Sequence, residues 1–401
     1  MKHSIIAAAC LACTGAAWSQ VTLYGLADAG VTHVTGLAGG AKTQLSTGIM
    51  EGSRWGLKGT EDLGGGYQTL FTLESRTELT DGSTGNRPAS GNQIPDRLTA
   101  GLPPAVAAGV ASAIGPSLGV NHTSPRLFDR QAWVGLVTPV GGILAGRQYT
   151  PAFEALATFD IMGTQSALSA GQLATIPAAI DIRYDNTVQY RIVKGPWNAS
   201  LMASLGPRTT SSGNRLLGIN TIYKGDGFQV GFGHNEKKNS AGQDALQSTL
   251  IGASASRGAW TLSGFVGRIR EPNPTSGPEL SAGLTAAGVP TALVANVIDR
   301  LKQDAQIIHL GARYDMGAAG QVSVAVNQLN DKRATNADVT SYGVAYLYPL
   351  SKRTNLNVVV TRFVNTANAQ VAPGGNGYLG GVTASAGKDS TSIAFGIRHV
   401  F

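Results

Sequence analysis

Six ionisable side chains occur in a pattern that fixes which way they point. Trp55 and Leu57 alternate with Arg54 and Lys58, and Phe71 and Leu73 stand at odd positions against Glu74 and Arg76 at even ones. Trp133 stands three residues beyond Arg130, and Tyr184 and Val188 alternate with Arg183 in the same sense. An extended chain sends successive side chains to opposite faces. If the apolar residues share one face, then Arg54, Lys58, Glu74, Arg76, Arg130 and Arg183 share the other. Such a set is not equipped for covalent chemistry. Fixed charges facing one another across a narrow passage order water and rank solutes by charge.

Catalytic sets are missing from the pattern. Beyond the first twenty residues the histidines are His33, His122, His234, His309 and His399, with no Ser or Asp at motif spacing to any of them. A general base needs a nucleophile or an oriented water beside it, and metal-ligand spacings are absent. We read these histidines as surface or girdle residues, and expect no enzymatic activity, no cofactor and no metal. The only cysteines, Cys10 and Cys13, fall inside an N-terminal segment built for export. Met1-Lys2-His3 is basic, Ser4 to Thr14 is apolar, and Ala17-Trp18-Ser19 is a small-x-small cleavage site. Residues 1–19 are therefore expected to be a signal peptide and 20–401 one folded domain without disulfides or thiol chemistry.

The elements that must position the charges are strands. Charged residues make up 14% of the 401, with 53 glycines and a net charge of +7. No basic run with interleaved aromatics appears, so nucleic acid is not an expected partner. No apolar run reaches the eighteen or so residues of a membrane helix. Period-two alternation runs throughout, as in Ile182 to Ile192, where Ile182, Tyr184, Val188, Tyr190 and Ile192 oppose Arg183, Asp185, Thr187, Gln189 and Arg191. Strands are expected at 21–34, 46–60, 65–79, 125–139, 142–149, 181–194, 197–206, 215–224, 227–235, 246–256, 259–270, 305–315, 320–330, 338–349, 353–365 and 389–401. Short Gly-containing turns alternate with long connections at 35–45, 80–124, 150–180, 271–304 and 366–388. Even strand number with loops sorted by length is the pattern of a transmembrane barrel, apolar outside and polar within. Tyr24, Trp55, Tyr67, Trp133, Tyr149, Trp197, Trp260, Tyr346 and Tyr348 sit near strand ends and are read as interface girdles. The last strand places Ile393, Phe395, Ile397, His399 and Phe401 on one parity, similar to the signal read by the barrel-assembly machinery.

Specific blocks carry a resemblance to a known family. Val21-Thr22-Leu23-Tyr24-Gly25 with Asp28, Ser53-Arg54-Trp55-Gly56-Leu57-Lys58-Gly59 running on to Gly66, Phe128-Asp129-Arg130-Gln131-Ala132-Trp133, Gly146-Arg147-Gln148-Tyr149, Asp185 to Tyr190 and Phe395-Gly396-Ile397-Arg398-His399 are similar to Gram-negative trimeric porins of β-proteobacteria. The resemblance spans 21–401. It implies an all-β, sixteen-stranded antiparallel transmembrane barrel in the outer membrane, a homotrimer surrounded by lipid and lipopolysaccharide, and passive diffusion of small hydrophilic solutes. It also implies a third external loop, here Thr150 to Ile180, folded into the lumen as a constriction. At that constriction the resemblance places Arg54, Arg130 and Arg183 opposite Asp160, with Glu154 as a waist acid or a loop anchor. Thr164 stands where general porins of enterobacteria carry a second acid, so the basic side outnumbers the acidic and anion preference is expected. The chain departs from the family at penultimate Val400 and in the Ala-rich segments 97–120 and 281–303. Leu293, Val294, Val297, Ile298 and Leu301 have helical spacing, so Leu284 to Asp304 is expected to be a short amphipathic helix capping the mouth or packing on a neighbour.

Three other readings compete. A barrel enzyme lacks its catalytic set. An anion-specific channel with a binding site at the waist would show saturable conductance; a sugar channel would want aromatics along the lumen, whereas most here share the apolar parity. Docking through the long loops is compatible with either.

Overall fold

The computed structural model describes residues 20–84, 88–114, 126–163, 166–174, 179–205, 213–374 and 380–401. The expected leader 1–19 with both cysteines lies outside these residues, as do His122 and Thr164. Sixteen antiparallel strands close on themselves. They are β1 (Gln20–Val34), β2 in two segments (Lys42–Thr47 and Arg54–Gly64), β3 (Tyr67–Arg76), β4 (Gln131–Thr138), β5 (Gly141–Tyr149), β6 (Arg183–Lys194), β7 (Trp197–Ser204), β8 (Leu216–Lys224) and β9 (Phe228–Lys238). The circle continues with β10 (Asp244–Arg257), β11 (Trp260–Glu271), β12 (Gln303–Asp315), β13 (Gln321–Asp331), β14 (Val339–Pro349), β15 (Thr354–Asn365) and β16 (Ser390–Val400). β16 returns to β1 with Leu26 opposite Val400 and Val34 opposite Ser392. Among the described residues closure leaves no strand edge unpaired, which a sheet surrounded by hydrocarbon requires.

The alternation is physical, not only textual. On β16, Ile393, Phe395 and Ile397 are exposed on the outer face while Ser392, Ala394 and Gly396 are buried toward the lumen. The same apolar-out arrangement holds for Leu262 and Val266 on β11 and for Val324 and Val326 on β13. Short turns gather at one end. Beside them Trp197 packs on Tyr223 at 4.9 Å and Trp260 on Tyr314 at 4.6 Å, a belt of outward rings. Three rings expected in the girdles lie in the lumen instead. Tyr24 bonds Glu74, Tyr149 bonds two arginines, and Trp133 donates to Gln131 on the row that also holds Lys58 and Thr72. Val134 and Leu136, not Trp133, are the outward residues of β4.

The sequence reading expected one unbroken strand over 46–60. Residues 48–53 instead leave the ladder, because the buried Asp28 carboxylate offers the amides of Ile49, Met50 and Glu51 acceptors at 2.8–2.9 Å. The insertion turns Glu51 toward Arg54. Among the described residues four helices occupy the long connections: α1 (Pro104–Ile114) between β3 and β4, α2 (Pro151–Phe159) after β5, and α3 (Gly277–Ala286) with α4 (Thr291–Leu301) between β11 and β12. The single helix expected over Leu284 to Asp304 is two. Gly288 takes φ +78° after α3, and Pro290 stands before α4, so helical bonding cannot run through.

Candidate functional site

The candidate constriction begins with a helix start that the sequence spells out. Thr150 accepts a hydrogen bond from the Phe153 amide and Pro151 fills the first helical position, so α2 starts as β5 ends. Its inner side is small and apolar, and the wall it meets is smaller still. A Cβ at Gly233 of β9 would lie 2.7 Å from the Ala155 methyl, and one at Gly252 of β10 2.7 Å from Phe159 Cβ. Leu156 and Phe159 join Phe265, Ile269, Ile307, Leu329 and Phe363 of the wall in one apolar cluster. Polar contacts fix the depth. Ser263 Oγ donates to the Phe159 carbonyl at 2.7 Å, the Ile161 amide to His309 Nε2 at 2.9 Å, and Asn327 Nδ2 to the Leu168 carbonyl at 2.9 Å. Arg313 donates to the Ile161 carbonyl. The loop thus lies across the inner faces of β8 to β13, leaving the opposite wall to the charges.

That opposite wall carries a chain of ion pairs. Arg398 on β16 reaches Glu51, which meets Arg54 at 3.0 Å. Arg54 meets Glu74 at 3.5 Å, and Glu74 accepts from Arg130 Nε at 2.7 Å and from the Tyr24 hydroxyl at 3.1 Å. Arg130 and Arg183 both donate to the Tyr149 hydroxyl, at 2.9 and 2.8 Å, and the Arg183 guanidinium lies 4.5 Å from the centre of that ring. Lys58 extends the row, exposed over the Tyr24 ring at 5.2 Å. From the next strand face Arg191 holds Glu154 of α2 at 2.6 Å, and Asn220 donates to the same carboxylate at 2.7 Å. Tyr149 stacks on Phe153 at 5.3 Å, which ties this wall to the loop. Arg130, Arg183, Arg191, Glu154, Tyr149, Phe153 and Ile222 line a concavity of about 350 Å³. Arg54, Lys58, Arg130, Arg183, Arg191 and Arg398 make six cations against three carboxylates, Glu51, Glu74 and Glu154.

Each residue singled out in the sequence can now be placed. Arg54, Lys58, Glu74, Arg130 and Arg183 come together, and Glu154 joins them through Arg191. Arg130 gets there for a different reason than parity suggested: it precedes β4, and Trp133 faces inward. Arg183 likewise stands beyond a bulge, where Asn186 takes φ +53° and the register with β5 slips. Arg76 faces inward but is only 1% exposed, enclosed by Glu78 at 3.3 Å and Asp129, whose carboxylate also accepts from the Arg76 amide at 2.7 Å. It clamps the ends of the β3–β4 connection and is shielded from solvent. Asp160 does not face the arginines. It is 4% exposed, accepting from Met162 N and Ala170 N at 2.9 Å and Ser169 Oγ at 2.6 Å, so its charge holds the loop in shape against the far wall. Sequence reasoning missed Tyr24, Tyr149, Glu51, Arg191 and Arg398 as members of the site. Parity already turned Arg191 and Arg398 inward. It also misread His309, which is fully buried under the loop, with Nδ1 2.6 Å from Asn327 Oδ1.

Comparison with known proteins agrees with this architecture. A family model described as Gram-negative porin matches residues 5–368. Outer membrane porin protein 32 of Delftia acidovorans is 27% identical over the whole of both chains. Among solved structures, an anion-selective porin from Comamonas acidovorans has a TM-score of 0.70 at 23% identity, over 96% of this chain and all of that one. The trimer form of OmpT, an outer membrane protein of Vibrio cholerae, has a TM-score of 0.59 at 10% identity, over 96% and 99% of the two chains. With the family match covering most of its length, the chain belongs to the Gram-negative porins, and its lumen is a diffusion path through the outer membrane.

Proposed function

We propose that this porin prefers anions, and that the excess of arginine and lysine over carboxylate on the wall facing α2 sets the preference. The observation carrying it is the six-to-three imbalance along the row from Arg398 to Arg191, with Arg54, Arg130 and Arg183 at its centre. Of the acids on the loop, Glu154 already stands in this balance through Arg191, and Asp160 is turned away and engaged, so it adds no further negative charge to the row. The potential at zero current in a salt gradient tests the reading. A sign reporting anion permeation is expected; a cation-selective sign overturns it.

The concavity between Arg130, Arg183 and Arg191 favours a second reading in which anions bind as well as pass. Its mixed lining of guanidinium groups, Tyr149, Phe153 and Ile222 suits a carboxylate on an apolar stem. Conductance that saturates with one organic anion, but stays linear with chloride, distinguishes binding from plain diffusion.

The likeness to a trimeric Vibrio structure supports assembly as a homotrimer. Residues 1–19 are proposed as a cleaved signal peptide, and the outward parity of Ile393, Phe395 and Ile397 suits handling of the final strand by the barrel-assembly machinery. The outer belt of Trp and Tyr suits a boundary of lipid and lipopolysaccharide headgroups.

A further inference from the structure

The two Ala-rich segments that depart from the family pattern meet each other. Ile94, Leu98, Val110 and Ile114 come from the connection between β3 and β4, and Leu284, Val294, Val297 and Leu301 from the connection between β11 and β12. Together they form an apolar cluster separate from the barrel and from α2. Val110 is 0% and Val297 1% exposed, so these are core positions and not loops brushing past one another. In a ring of sixteen strands the two connections leave points eight strands apart, which is half the circumference. Two loops rooted on opposite rims can share a core only by meeting over the mouth.

The junction is held by more than apolar contact. Arg300, in the last turn of α4, donates to the Ala100 carbonyl at 2.5 Å across the two loops. Arg333, from the connection after β13, donates to the Lys302 carbonyl at 2.5 Å and anchors the foot of α4. On the other side the Asp96 amide donates to Gln370 Oε1 at 2.7 Å, Gln93 Nε2 to the Thr383 carbonyl at 2.9 Å, and the Val382 amide to Ser90 Oγ at 3.0 Å. The β3–β4 connection is thereby footed on the connection between β15 and β16. A span with its own core and braces at both ends is a fixed obstacle. The eight apolar side chains are held out of water only while the two halves stay together.

We infer that this span is an arch across the external mouth which determines specificity by size. It divides the entrance and rejects bulky solutes before they reach the charged waist. Size selection at the mouth and charge selection at the waist then rest on different residues, and the inference stands whatever the sign of the ion preference.

The test is liposome swelling with neutral sugars of increasing size, on the full-length protein. Val110→Asp and Val297→Asp each bury a charge in the shared core from opposite loops. Both are expected to raise the entry rate of trisaccharides relative to pentoses severalfold, while the zero-current potential stays at its wild-type value. Ala295→Asp, on the exposed side of α4, adds the same charge without touching the core and is expected to leave the size dependence unchanged. If an aspartate variant does not assemble, replacing residues 277–301 by a short Gly-Ser linker gives the same readout. Swelling rates that fall off with solute size as in the wild type, in the linker variant or in both aspartate variants, overturn the inference.

Discussion

Replacing Gly252 by alanine should narrow the pore from a position that no solute touches. The glycine lies on the inner face of β10, directly behind α2. A methyl there would stand 2.7 Å from Phe159 Cβ and closer still to two ring carbons. Carbon atoms settle about 3.5–4.0 Å apart, so something must move by about 1 Å. The strand cannot retreat, since Gly252 is paired with Gly231 of β9 on one side and Phe265 of β11 on the other. Phe159 must therefore lift, carrying the end of α2 away from the wall and toward the axis. Overpacking of this kind costs about 1–3 kcal/mol, which a sixteen-stranded barrel tolerates without unfolding. Single-channel recording in a planar bilayer reads the consequence as a fractional loss of conductance, deeper for Gly252→Val than for Gly252→Ala. If both variants assemble normally and conduct like the wild type, α2 does not bound the aperture.

Other expectations follow from the same geometry. Glu154→Gln removes one of three carboxylates from the row and should move the zero-current potential further toward anions, while Arg191→Gln should move it back; equal potentials in the two variants would contradict the assignment of both residues to the pore wall. Tryptophan fluorescence separates the two classes of ring: brominated lipid should quench a variant retaining only Trp260, whereas iodide in the aqueous phase should quench one retaining only Trp133. Replacing His309 by phenylalanine leaves the Ile161 amide buried without its acceptor, at about 1–3 kcal/mol. The loosened loop should appear as excess open-channel noise, and His309→Gln, which restores an acceptor, should be quieter.

The strands were legible because hydrocarbon enforces alternation with few exceptions. The expected 259–270 and 353–365 correspond to Trp260–Glu271 and Thr354–Asn365, and the terminal strand differs at its ends by one residue. Where the reading broke, a side chain had replaced the ladder. Asp28 supplies acceptors to three amides more than twenty positions away, and nothing in the local run around Ile49 announces it. The bulge at Asn186 is of the same kind: asparagine tolerates the left-handed conformation, but a lone asparagine in an alternating run does not say that it adopts it.

The site was legible by side and not by partner. Parity showed that Arg54, Lys58, Glu74, Arg191 and Arg398 turn inward, because that depends only on neighbours one position away. It reached Arg130 and Arg183 for the wrong reason, since Trp133 faces inward and a bulge separates Arg183 from Val188. Which charge meets which depends on closure of the whole ring: Arg398 reaches Glu51, and Arg130 reaches Glu74, across 347 and 56 positions. Asp160 illustrates the limit. A carboxylate at the tip of an inward loop points at the opposite wall if the loop is a simple hairpin, but here Ser169 and Ala170 double back and take both bonds of one oxygen. The loop therefore spends its own acid on its own shape. Beyond the Arg191–Glu154 pair, the field across the gap is left to the wall, which is why the proposed anion preference is assigned to the balance of charge there.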